Sequence, residues 1–239
     1  MDRDRRSFLQ RTAAASMAAF VPIGATLSPS IGLPQEAKKK EDNDEDVTPA
    51  EDLMREHGVL NRILLIYDHY ESHLRGAKAD LDPSVLNSAA GIIQHFIEDY
   101  HEKLEEDHLF PRFEKAGKLV PLVKTLRQQH QAGRALTARI LDLTKAGAHP
   151  ADEDRAPLRH ALRQFIRMYR PHEAREDTVL FPAFRSIVSA HEYAALGEDF
   201  EDKEHELFGK EGFEGIVEQV GAIEKKLGLY ELSQFTPRT

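Results

Sequence analysis

His101-Glu102-Lys103-Leu104-Glu105-Glu106-Asp107-His108-Leu109-Phe110-Pro111-Arg112-Phe113 aligns without gaps with His172-Glu173-Ala174-Arg175-Glu176-Asp177-Thr178-Val179-Leu180-Phe181-Pro182-Ala183-Phe184, and seven of the thirteen positions are identical. Another histidine stands ahead of each copy: His57 lies 44 residues before His101, and His130 lies 42 before His172. A duplicated motif with a matched upstream partner reads as two helical hairpins that carry the same set of side chains.

The flanking sequence supplies the four helices. Thr48-Pro49-Ala50-Glu51 is a helix-start signature, with Thr48 as N-cap and Pro49 at the first helical position. The helix that follows is expected to end near Gly76, with Leu53, Leu60, Leu64 and Tyr67 on its apolar face. Asp82-Pro83 opens a second helix running to about Ala116, with Ile93, Phe96, Ile97 and Leu104 inward and Gly117 as its stop. A third is expected over roughly 119–146, a turn over 147–152 that contains Pro150, and a fourth over about 154–189. Long helices on short connections favour an all-α, up-down-up-down four-helix bundle.

Within each copy the histidine and glutamate stand four apart, so His101 with Glu105 and His172 with Glu176 lie on one helical face and converge on one point. Their neighbours Ile97, Leu104, Phe165 and Val179 place these polar pairs in an apolar stripe. Burying a carboxylate there is costly without a compensating partner, and a divalent cation is one. With His57 and His130 the inventory is four imidazoles and two carboxylates, a donor set that suits iron best, with manganese or zinc as alternatives. His108, seven residues after His101, is a further candidate ligand or proton donor. Glu102 and Glu173 are rotated about 100° from the histidines and are weaker candidates. His69, His73, His95, His149, His160 and His191 lack this frame and read as surface or structural residues.

These residues resemble the hemerythrin-like (HHE) cation-binding domain over about residues 52–188. The resemblance implies a centre of two iron ions bridged by Glu105 and Glu176, with His57 and His101 mainly on one ion and His130 and His172 on the other. Two positions depart from the oxygen-carrying pattern. Arg134 stands where those proteins have a second histidine on the third helix, and Asp177 sits at the spacing of their aspartate, beside the Glu176 that the repeat favours.

Composition bounds the alternatives. The 239 residues include 12 histidines and no cysteine, which excludes disulfides, thiolate zinc sites and iron–sulfur clusters. The net charge of −9, from 41 acidic and 32 basic residues, argues against a nucleic-acid partner. Asp4-Arg5-Arg6-Ser7-Phe8-Leu9 and the uncharged run behind it resemble a twin-arginine export signal over 1–35, and Pro22 and Pro29 argue against a stable membrane span there. Export by the twin-arginine machinery, to the periplasm, is the expectation. A charged linker is expected over 36–47, the bundle over 48–190 and a helical extension over 191–239. In that extension the acidic run 197–210 reads as a solvated helix face, and Ile216, Val217, Val220, Ile223 and Leu227 as the packed stripe of a last helix.

The function these expectations imply is a di-iron protein that binds a small diatomic or peroxidic ligand, such as oxygen, nitric oxide or peroxide. The alternatives are an oxidoreductase that reduces peroxide or nitric oxide at the same centre, and a metal store or sensor.

Overall fold

The computed structural model describes residues 47–76, 82–145 and 151–237. The leader (1–35), nearly all of the expected linker and His149 lie outside the described residues. Thr48 caps helix α1 (Pro49–His73), its hydroxyl accepting the Glu51 N–H at 3.3 Å. Such a cap contributes about 1 kcal/mol. Asp82 does the same for α2 (residues 83–115), accepting the Ser84 N–H at 2.9 Å. Gly117, at a φ of 63° that a residue with a Cβ rarely adopts, closes α2, and the Lys118 N–H returns to the Phe113 carbonyl at 3.0 Å. Helix α3 (Val120–Leu143) and α4 (residues 152–184) form the second hairpin. Helices α5 (Ala190–Phe208) and α6 (Gly212–Leu227) and a short 3₁₀ turn (Leu232–Phe235) follow. The regular elements among the described residues are all helices, with no strand. None of these helices is long and apolar enough to cross a membrane.

α1 and α3 each pack along α4, and α2 packs against both α1 and α3, which gives the four-helix bundle expected from the repeat. The residues expected to face inward do so: Leu53, Leu60, Leu64 and Tyr67 on α1, and Ile93, Phe96, Ile97 and Leu104 on α2, are all buried.

α2 and α4 are not uniform α-helices. Both widen into one π-turn at matched places, Glu105–Leu109 and Glu176–Leu180, where the Phe110 and Phe181 N–H groups reach back five residues to the Glu105 and Glu176 carbonyls. The prolines explain the placement. Pro111 and Pro182 have no N–H to donate and their rings crowd the carbonyl four residues back, so the turn before each one opens.

The extension lies on the α1–α2 face. Phe208 stacks edge-on to Phe96 and Tyr100 with ring centroids 5.4 Å apart in both cases, and Tyr193, Leu196, Phe200, Ile216 and Val220 are buried. The acidic run is therefore not a solvated face throughout. Glu204, on its inward stripe with Leu196 and Phe200, is fully buried, and its Oε1 accepts the Phe213 N–H at 3.0 Å.

Candidate metal centre

The bundle brings His57, His101, Glu105, His130, His172 and Glu176 together in its interior, each no more than 4% exposed. One helix contributes each upstream histidine, α1 and α3, and the two π-widened helices contribute a histidine and a glutamate apiece. The four Nε2 atoms face the two carboxylates. His172 and His57 approach Glu176 Oε2 at 3.0 and 3.4 Å, while His130 and His101 approach Glu105 Oε2 at 3.4 and 3.8 Å. Ligand atoms of Glu105, His130, His172 and Glu176 lie within 4.8 Å of one another, and His57 and His101 bring their Nε2 atoms to 3.1 Å.

The outer nitrogens are held in turn. His57 Nδ1 pairs with Asp177 at 2.7 Å, His101 with Glu56 at 2.6 Å, His130 with Glu106 at 3.0 Å and His172 with Gln129 at 3.0 Å. An Nδ1–H donated outward fixes the tautomer that presents an Nε2 lone pair to the centre. The aromatic rings of the repeat serve the same end. Phe181 stacks on His57 and Phe110 on His130, at centroid distances of 5.4 and 5.5 Å. The Leu-Phe-Pro tails thus supply both the wall against the upstream histidine and the wide turn next to the glutamate.

Glu56, Glu106 and Gln129 were not singled out from the sequence, although each adjoins a site residue in the chain. Asp177 stands at the outer nitrogen of His57, with its side chain 34% exposed, rather than among the inward atoms. His108 is placed elsewhere. The π-turn rotates it away from the His101–Glu105 stripe, and its half-buried ring lies 5.4 Å from Phe200, lining a cleft between α2 and α5. Glu102 and Glu173 are buried one layer out, the first accepting Tyr169 Oη–H at 2.6 Å and forming an ion pair with Arg134 at 2.8 Å, the second accepting Asn61 Nδ2–H at 3.0 Å.

Neither oxygen of Glu105 or Glu176 accepts a well-formed hydrogen bond, and His130 Nε2 also has no hydrogen-bond partner. Burial pushes the Glu105 carboxyl well above its usual range, and the Glu176 charge adds to this. Burial also works to raise Glu176, but His172 and His57 hold it well below. Burial works to lower His57, yet Asp177 and Glu176 bring it up to about 10. Burial brings His130 down to about 4 and takes His101 well below its ordinary value. Two buried carboxyl groups facing each other favour positive charge between them. The donor set and the unmatched carboxylate oxygens fit a pair of cations.

Comparison with known proteins agrees with this chemistry. The family model described as the hemerythrin HHE cation binding domain matches residues 48–184 and again 123–224. Uncharacterized proteins of Mycobacterium bovis and Mycobacterium tuberculosis are 47% identical to this chain over 235 residues, covering 98% of it and 91% of their own length. No solved structure matches.

Proposed function

This chain belongs to the hemerythrin HHE cation-binding family, and from that premise we propose that it is a non-haem di-iron protein binding oxygen, nitric oxide or peroxide. The observation that carries the reading is the facing pair Glu105 and Glu176, whose four oxygens lack hydrogen-bond partners inside a ring of four Nε2 atoms. Glu105 and Glu176 would supply the carboxylate ligands that hold two iron ions. His57 and His101 would complete one position, and His130 and His172 the other.

Bound iron would supply the electrons that a diatomic or peroxidic ligand takes up. The chain's own residues do the rest. Asp177, Glu56, Glu106 and Gln129 keep the imidazoles in the ligating tautomer and orientation. Phe110 and Phe181, both buried, keep bulk water off the imidazoles. Tyr169, with its hydroxyl on Glu102, holds a proton one layer from the centre.

Arg134 favours a second reading. It ties Glu102 and Glu106 instead of offering a nitrogen ligand, so the His130 position is poorer in histidine than an oxygen carrier of this family. A centre of that type would reduce peroxide or nitric oxide rather than release its ligand unchanged. The twin-arginine-like leader supports export to the periplasm with the metal already installed.

The test is metal content per chain, with an optical spectrum taken before and after reduction and re-exposure to oxygen. About two irons with bands that appear on exposure to oxygen and vanish again on deoxygenation support the binder, and peroxide turnover supports the enzyme. A chain that takes up no metal after anaerobic reconstitution overturns both.

A further inference from the structure

The repeat equalises the six inward side chains but not what stands behind them. At the His57/His101 position both outer nitrogens meet acids, Asp177 at 2.7 Å and Glu56 at 2.6 Å. Glu56 is itself grouped with Asp52 and Glu204, the three offering ligand-type atoms within 4.8 Å of one another and all buried. At the His130/His172 position the residue matching Glu56 is the neutral Gln129, whose Oε1 takes the His172 Nδ1–H at 3.0 Å. The other outer acid there, Glu106, shares its charge with Arg134, whose Nη1 lies 2.9 Å from it and whose Nη2 lies 2.8 Å from Glu102. One turn after His57 the matching residue is Asn61, without charge.

A carboxylate behind an imidazole makes it a better electron donor to a cation and adds direct attraction. An amide does neither, and a guanidinium repels. Glu56 is fully buried and Glu106 nearly so, which leaves their charges weakly screened, whereas Asp177 and Arg134 are about a third exposed and act more weakly. We propose that the two cation positions are unequal and fill in order: the His57/His101 position binds a divalent cation tightly, and Gln129 with Arg134 makes the His130/His172 position the weaker, exchangeable one. This rests on the two-cation reading above. It assigns Gln129 and Glu56 as positioning residues that set the gap between the two affinities. Losing one outer partner of this kind changes metal affinity by about 10- to 100-fold.

The experiment is a calorimetric and optical titration of the metal-free full chain with cobalt(II) alone. Two uptake steps at least about tenfold apart are expected. His130→Ala should remove the weaker step and keep the tighter. The isosteric Glu56→Gln should weaken the tighter step about tenfold, and Gln129→Glu should strengthen the weaker one by a similar factor, with helix content by circular dichroism unchanged. Two steps of equal affinity, or loss of the tighter step in His130→Ala, would overturn the inequality while leaving the two-cation reading intact. No cobalt uptake by the wild-type chain would overturn that reading and this inference with it.

Discussion

α2 and α4 reach the same site by different routes. From His101 and His172 onward they coincide: a glutamate four residues on, a π-turn beginning at that glutamate, and a phenylalanine set against the neighbouring upstream histidine. Before those histidines they diverge. α2 passes through a second wide stretch, Ile93–His101, whereas α4 stays α-helical over Asp152–Arg175 and carries Pro157 and Pro171 within it. Three residues ahead of the motif histidine, Glu98 in α2 occupies the place of Tyr169 in α4. What the helices share is therefore what orients the inward atoms, and what they do not share has been free to vary.

If that comparison is right, the largest effects must be equal in the two helices. Glu105→Ala and Glu176→Ala should each reduce bound metal to less than one ion per chain, read by elemental analysis. Metal-free Glu105→Ala should stay folded, because it removes a buried carboxyl that burial and the Glu176 charge push well above its usual range, whereas Glu176→Ala also takes away the partner of His57 and His172 and should be the less stable of the two by denaturant unfolding. A variant that keeps two ions would break the proposal that this glutamate is a ligand. Next come the walls: Phe110→Ala and Phe181→Ala each empty a fully packed position and should cost about 3–5 kcal/mol by denaturant unfolding. A large inequality between them would show that the two hairpins are not equivalent in packing.

The difference ahead of the motif predicts a pH effect at Glu98 that its counterpart Tyr169 does not share. Burial raises Glu98 from its ordinary range to about 7. A raised carboxyl contributes stability that is fully present below the unfolded value of about 4.5 and is lost as pH rises through about 7. Glu98→Gln should therefore gain stability relative to the wild type by up to about 3 kcal/mol between pH 5 and pH 8, seen as a flatter dependence of Tm on pH. The smallest effect belongs to His160→Ala, on the exposed side of α4, which should change stability by less than about 0.5 kcal/mol and leave metal content unaltered.

The helices were legible because their signals are local. Thr48-Pro49 and Asp82-Pro83 start helices by satisfying backbone groups within four residues, and the apolar stripe of α1 needs only the 3.6-residue period. His101 with Glu105 and His172 with Glu176 were legible for the same reason, and duplication joined them to His57 and His130. The acidic run of α5 was misread because its composition is that of a surface helix, while its inward stripe of Leu196, Phe200 and Glu204 is decided by what α5 packs against.

The sequence by itself determined the helical hairpins, their pairing by repeat and the six candidate ligands, since each follows from spacing along one helix. Only the tertiary structure decided that Asp177 stands behind His57 while Glu176 faces inward, that His108 turns toward Phe200, and that Glu56, Glu106 and Gln129 hold the other imidazoles. Those outcomes depend on the register between neighbouring helices and on a turn widened by one residue. A rotation of about 100° moves a side chain from the centre to the layer around it, and nothing in the local spacing records that rotation.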